Sequence, residues 1–307
     1  MTQRAIVDAV DGGALIRLSR GLYVSAADWR SARTEQRELL HVAAAQRRLR
    51  LERPLFVLSS AAALHGLPLA RASARGAHIA SARSNGRVRS RNPLVARHEI
   101  EVAEADVVEV DGICCTSVTR TVADLARLAR PETALAAADA ALRAIAWDHD
   151  DHVYDDNAAE AYRSAMLAHL RTGARGVVQA RRLLTLADGR ADRPGESISR
   201  LYLHEIGFRN IRPQVPVAGP HGSPYWLDFS LDDADVWAEF DGLGKYVDDA
   251  FRRQGESADD VVLREKERED WIRGATGRRV VRWNWEHIAS ADTLAARLAA
   301  FGIRPRP

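Results

Sequence analysis

The sequence predicts a mixed α/β fold in two main parts, and three observations lead there. Short segments rich in alternating or continuous apolar residues are interspersed with longer stretches of helical period. The order of these segments changes after Asp192-Arg193-Pro194-Gly195, a cluster that breaks one pattern and starts a helix. The chain has 307 residues, enough for two ordinary domains. The expected division is a region 1–147, a helical linker 148–192 and a domain 193–307.

From the amino terminus, a short helix precedes a β-hairpin. Ala14 to Leu18 and Leu22 to Val24 flank Ser19-Arg20-Gly21, a three-residue turn that ends in glycine. Residues 29–51 carry a helical pattern with Trp29, Ala32, Leu39, Leu40, Ala43 and Ala44 as its apolar candidates. Pro54 opens a short strand, LFVLS, and Ser59 or Ser60 is the expected cap of a helix ending at Gly66. Four strands follow between 77 and 118 (AHIAS, PLVARHEI, DVVEV, GICCTS), with Asp111-Gly112 as a tight turn. Pro131 separates two alanine-rich helices, Thr119 to Ala129 and Glu132 to Ala146. The charged stretch 148–157 reads as an exposed loop, and helices are expected over 158–172 and 174–188.

Beyond the break, Glu196 to Ile206 is a helix stopped by Gly207. Residues 210–217 are extended and punctuated by proline. Strands YWLDFSL (225–231) and VWAEFDG (236–242) come next, then a charged helix 258–273, a strand RVVRWNW (279–285) and a helix 290–301.

Composition sets limits on function. The chain is 46% hydrophobic and 28% charged with a net charge of +2, a balance that does not by itself call for a polyanionic partner. No run approaches the roughly 20 apolar residues of a membrane span, and MTQRAIVDAVDGG lacks the apolar segment of a secretory leader. Cys114 and Cys115 are adjacent, which fits two reduced, core-filling thiols. A cytoplasmic protein is the expectation. Among 44 basic residues only Lys245 and Lys266 are lysine, and both lie in the last third. His65 and His287 are expected to be structural, and no Walker, GxGxxG, GxSxG or HExxH pattern points to a small-molecule ligand or a zinc site.

The residues that suggest chemistry are single acids inside apolar strands. WLDFSL and VWAEFDG hold Asp228 and Glu239 among bulky neighbours. If Asp232 to Asp235 form the connection, Asp228 lies opposite Glu239; a two-residue connection leaves them diagonal, and a three-residue one puts them on opposite faces. Paired carboxylates repel unless a cation or proton is shared. Glu196, in the first turn of its helix, is a third acid, with a capping role as the alternative. Magnesium takes hard oxygen ligands and activates water for phosphodiester hydrolysis, so this set suits a divalent metal.

The order Glu196, Asp228, Glu239-Phe240-Asp241-Gly242, then Arg264 to Asp270, Gly277 and Val280-Val281-Arg282-Trp283 resembles the PD-(D/E)xK nuclease superfamily. More narrowly it is similar to domains related to very-short-patch-repair endonucleases. The resemblance implies a restriction-endonuclease-like mixed sheet flanked by helices, with Asp228 and Glu239 as magnesium ligands and Glu196 and Asp241 as supporting acids. The superfamily's lysine position holds Asp241 here, so Lys245, or alternatively Lys266, would supply the cation at the phosphate.

In the first half, ALIRLSRGLYV, SSAAALHGLPL and TSVTRTVADLAR resemble the AbiEi antitoxins, which implies a truncated winged-helix-like unit. Arg17 and Arg20 on the hairpin are candidate phosphate contacts, as are Arg83, Arg87, Arg89 and Arg91 in an arginine-rich loop and Lys266 in the later helix. Two functions are therefore expected to compete: a magnesium-dependent DNA endonuclease, or a non-catalytic, antitoxin-like DNA-binding regulator that has kept the nuclease fold. A homodimer is compatible with either.

Overall fold

The computed structural model describes residues 2–49, 53–81, 94–220, 222–242 and 258–306. The chain divides into two compact units, Met1–Gly189 and Arg190–Pro307. The first is a helix and strand region; the second is a mixed sheet flanked by helices.

In the first unit, α1 (Gln3–Asp11) is capped by the Thr2 hydroxyl and leads into the antiparallel hairpin β1 (Leu15–Ser19) and β2 (Leu22–Ser25). Two helices follow where a single pattern was expected: α2 (Ala26–Ser31) and α3 (Thr34–Arg48). The inward face of α3 carries Glu38, His41, Val42, Ala44 and Ala45, so the expected core positions Leu39 and Ala43 point outward.

Phe56 pairs with Ile79 on one side and Cys115 on the other. It thereby joins a parallel pair, β3 (Ala77–Ala80) and β4 (Val95–His98), to an antiparallel pair, β5 (Val107–Val110) and β6 (Ile113–Thr116). Phe56, Ile79, Val95 and Cys115 meet Val42, Ala45 and Ala61 in one buried cluster. The β5–β6 connection has both Asp111 (φ +50) and Gly112 (φ +77) in the left-handed region, the requirement of a tight type I′ turn.

Helix α4 (Leu58–Leu64) begins two residues earlier than a Ser59 cap would allow, with Val57 as its N-cap and Leu58 left-handed (φ +53). Ser60 is consequently inside the helix and fully buried rather than at its cap. Helices α5 (Val118–Leu128) and α6 (Pro131–Ala146), the two-residue strands β7 (Trp147–Asp148) and β8 (Val153–Tyr154), and helices α7 (Asp156–Ala168) and α8 (Val177–Leu186) complete the unit. The region 148–192 is therefore no linker over most of its length. Met166, Ala180, Leu183 and Leu184 are buried, and Gln179 donates to the carbonyls of Ala126 and Ala129 at the end of α5. The charged 148–155 stretch is largely exposed, as a small hairpin and the Asp155 cap of α7.

The second unit starts with α9 (Pro194–Glu205), which has proline at its first turn, where no N–H is needed. Strands β9 (Ile211–Ala218), β10 (Pro224–Leu231) and β11 (Val236–Phe240) form an antiparallel meander. Helix α10 (Ala258–Thr276) then precedes β12 (Arg279–Trp283), which pairs parallel with β11, and α11 (Ala291–Ala300) closes the unit. The sheet order is β12-β11-β10-β9. Helix α9 packs on one face and α10 on the other, so the unit has three layers.

Candidate functional site

Side-chain contacts assign the two faces of the carboxy-terminal sheet. The Trp237 indole donates to Thr276 Oγ1 of α10 at 2.9 Å, and Trp237 shares a buried cluster with Val217, Leu227 and Ile272. Trp283 instead donates to Ser199 Oγ of α9 at 2.8 Å. Phe240 lies against Gly195 of α9, where an added Cβ would be 2.0 Å from its ring. Since side chains alternate along a strand, Trp237 and Glu239 face α10, while Ala238 and Phe240 face α9.

Along β10 that alternation breaks. Leu227 belongs to the α10-side cluster, yet Phe229, two residues on, stacks against Trp283 on the α9 side with centroids 6.1 Å apart. The irregularity falls at Asp228. Pairing of β10 with β9 runs to Leu227↔Val215 and resumes at Phe229↔Pro213; pairing with β11 ends at Phe229↔Ala238. The residue facing the gap from β9 is Gln214, a non-glycine residue at φ +47. The register is the same on either side, so both strands turn over at one rung without an inserted residue. Such irregularities re-aim side chains and cluster at functional sites.

The effect is to turn the Asp228 carboxylate along the sheet, where its Oδ2 accepts the Phe240 N–H at 2.7 Å. On the α9 side stands Glu196, 5% exposed. Its Oε2 accepts the Asp192 N–H at 2.9 Å and the Gln214 amide at 3.1 Å. The first bond comes from the residue that precedes the N-cap Arg193. Burial, then the neighbouring Asp228 charge, push the Glu196 carboxyl up to about 8.

Glu239 has the opposite surroundings. Its carboxylate is 2.7 Å from Arg268 Nη2 of α10 and 2.8 Å from Arg282 Nη2 of β12, its parallel partner in register. Glu265 and Glu269 extend this ion cluster at 3.3 and 3.5 Å from Arg282. Asp241 lies beside it, 3.9 Å from Arg282 Nη1. The four-residue connection Asp232 to Asp235 pairs Leu231 with Val236 and Phe229 with Ala238, and the paired rungs stop one short of Asp228 and Glu239. The Glu239 carboxylate is met by two arginines, Arg268 and Arg282, while Asp228 accepts the Phe240 N–H. Glu196 and Asp228 are electrostatic neighbours.

A buried carboxyl whose proton affinity is raised by a neighbouring carboxylate suits a hard divalent cation. Magnesium is commonly held by one or two carboxylates, with water and phosphate oxygens completing its shell. Among the described residues, no group of three or more His, Cys, Asp or Glu is placed to hold a metal, so such a site would rest on those two acids. Lys266 is exposed on α10. Lys245, Arg83, Arg87, Arg89 and Arg91 lie outside the described residues.

Two proteins of Mycobacterium tuberculosis are similar to this chain: uncharacterized protein MT2308 of strain CDC 1551 / Oshkosh and uncharacterized protein Rv2248 of strain H37Rv. Each is 30% identical over 244 residues, covering 79% of this chain and 79% of the relative. The chain belongs to their family. No family model and no solved structure matches it.

In the first unit of this family member, Arg17 and Arg20 are exposed on the β1–β2 hairpin. Sequence reasoning missed a buried polar cluster there. Ser60 Oγ donates to Glu38 Oε1 at 2.6 Å and accepts the His78 N–H at 2.7 Å, and burial pushes Glu38 up to about 7. His78 Nδ1 is 2.8 Å from His98 Nε2, and burial lowers His78 to about 4. His65 Nε2 meets the Thr116 carbonyl at 2.7 Å, a structural bond as expected. The only signal for the cluster was an acid and a histidine three residues apart in α3, which reads equally as a solvated face. Among the described residues, no helix is long and apolar enough to cross a membrane.

Proposed function

We propose that the chain is a divalent-metal-dependent DNA endonuclease of the PD-(D/E)xK type, preceded by an AbiEi-antitoxin-like region. The observation that carries this reading is the buried Glu196 carboxyl held beside Asp228 at the rung where β9 and β10 turn over. The αβββαβ order of the second unit supports it. Glu196 and Asp228 would hold magnesium, which when bound polarises a phosphodiester and lowers the pKa of water. The Phe240 N–H fixes one oxygen of Asp228, and the bonds from Asp192 and Gln214 fix Glu196. Arg17 and Arg20 would contact the DNA backbone.

The test is nicking of supercoiled plasmid with magnesium or manganese. Cleavage is expected to vanish with a chelator and to fall about 100-fold or more in Asp228→Asn and Glu196→Gln. A second reading, a metal-independent DNA-binding regulator, is favoured by the arginines that neutralise Glu239 and by Asp241 at the lysine position. Salt-sensitive DNA binding without cleavage, unchanged by both substitutions and by chelator, would establish that reading and reject the nuclease.

A further inference from the structure

We infer that Gln214 is a positioning residue for the proposed cation site, an inference that rests on the cation reading of Glu196 and Asp228. Gln214 lies on β9, an edge strand, between Pro213 and Val215 with Pro216 next. Its backbone is left-handed at φ +47, a conformation that glycine or asparagine adopts with less strain than glutamine. It faces the same gap in the ladder as Asp228, and its amide donates to Glu196 Oε2 at 3.1 Å. The flanking pairs Leu227↔Val215 and Phe229↔Pro213 remain in register, so the turnover is confined to one rung.

Two consequences follow from that single rung. On β10 the carboxylate of Asp228 swings to the Phe240 N–H; on β9 the amide of Gln214 reaches α9 and holds Glu196. The backbone turn alone does not call for glutamine, since glycine or asparagine would meet it with less strain. Glutamine adds what neither has, an amide with the reach to fix one oxygen of a carboxyl that is 5% exposed. With that oxygen held, the other would be available to a bound cation. Partners of this kind orient metal ligands, and their loss typically weakens metal affinity about 10- to 100-fold.

The experiment measures manganese binding by the full chain, from the free-ion electron paramagnetic resonance signal, together with the thermal unfolding midpoint. Wild type, Asp228→Asn, Gln214→Gly and Gln214→Asn are compared. The expected result is that wild type binds manganese and Asp228→Asn does not. Both Gln214 variants should then bind about tenfold or more weakly while unfolding at or above the wild-type midpoint. Binding equal to wild type in both Gln214 variants, with Asp228→Asn inactive in binding, overturns the positioning role and leaves the cation site standing. Weakened binding accompanied by a lower midpoint also overturns it, in favour of a merely structural residue. No wild-type binding, or binding indifferent to Asp228→Asn, overturns the cation reading and this inference with it.

Discussion

The two faces of the carboxy-terminal sheet each bury a glutamate, and they treat it differently. Glu239, on the α10 face, is met by the guanidinium groups of Arg268 and Arg282. Glu196, on the α9 face, is met by a backbone N–H, a glutamine amide and another carboxylate. Their exposures are alike, 3% and 5%. An acid among apolar neighbours is therefore not in itself a sign of chemistry. What separates the two is the partners that hold each carboxyl: guanidinium groups for Glu239, neutral N–H donors for Glu196.

The largest effect that could break this contrast is at Glu239. Glu239→Ala would leave two mostly buried arginines facing each other, their side chains 16% and 21% exposed. Breaking a buried pair by removing one partner costs about 3–5 kcal/mol. The lower end is expected, because Glu265 and Glu269 stay within 3.3 and 3.5 Å of Arg282. Urea unfolding measures it. A loss below about 1 kcal/mol, the level of a surface ion pair, would mean that Glu239 is not the structural acid of the two.

Much of this architecture was legible in the sequence. The element order of the second unit, the four-residue β10–β11 connection and the Asp111-Gly112 turn follow from local patterns, and local patterns are what periodicity and turn chemistry report. The site was legible only in part. Alternation predicts that Asp228 and Glu239 share a face, and nothing in YWLDFSL marks the rung where alternation fails. Pro213 and Pro216 around Gln214 were a usable signal, since proline removes a ladder donor and favours edge strands and bulges. The arginines that claim Glu239 come from residues 268 and 282, too far along the chain for any local pattern to pair them. In the first unit, the acidic stretch near 150 suggested a linker, whereas the helices after it bury Met166, Leu183 and Leu184. Their inward faces are short and alanine-rich, so their pattern is weak.

A second test uses pH. Folding raises the Glu196 carboxyl from its ordinary 4.5 to about 8, so between those values the folded chain binds more protons than the unfolded one. The contribution of Glu196 to stability is then full below about 4.5 and is lost as pH rises through 8. Glu38, raised to about 7, adds a slope of the same sign, while His78, lowered to about 4, acts against it below its ordinary 6.5. The comparison of interest is therefore wild type against Glu196→Gln across pH 5 to 9. A glutamine carbonyl keeps an acceptor for the Asp192 and Gln214 donors without the charge. The variant should gain roughly a few kcal/mol over wild type at the alkaline end and little at the acid end. Added magnesium should reduce that gain by stabilising wild type alone. A variant that loses stability at pH 9 would show that the charge of Glu196 is already compensated, and the contrast between the faces would collapse.

The smallest expected effect concerns the distance between α9 and the sheet. Gly195 precedes Glu196, and a Cβ there would lie 2.0 Å from Phe240 Cε1, far inside contact distance. The Phe240 ring is also held by Trp285, edge to face at 5.2 Å. Gly195→Ala must shift either the helix start or that ring. Overpacking of this kind costs about 1–3 kcal/mol, part of it offset because alanine favours a helix by about 1 kcal/mol. The displacement matters more than the stability. Glu196 is the next residue, so moving the helix start lengthens its bonds from Asp192 and Gln214, whereas Glu239 on the other face keeps its arginines. Gly195→Ala should therefore weaken manganese binding while leaving the Glu239→Ala penalty unchanged when the two substitutions are combined. A combined loss that departs from the sum by more than about 0.5 kcal/mol would mean that the two faces are coupled through the sheet rather than independent.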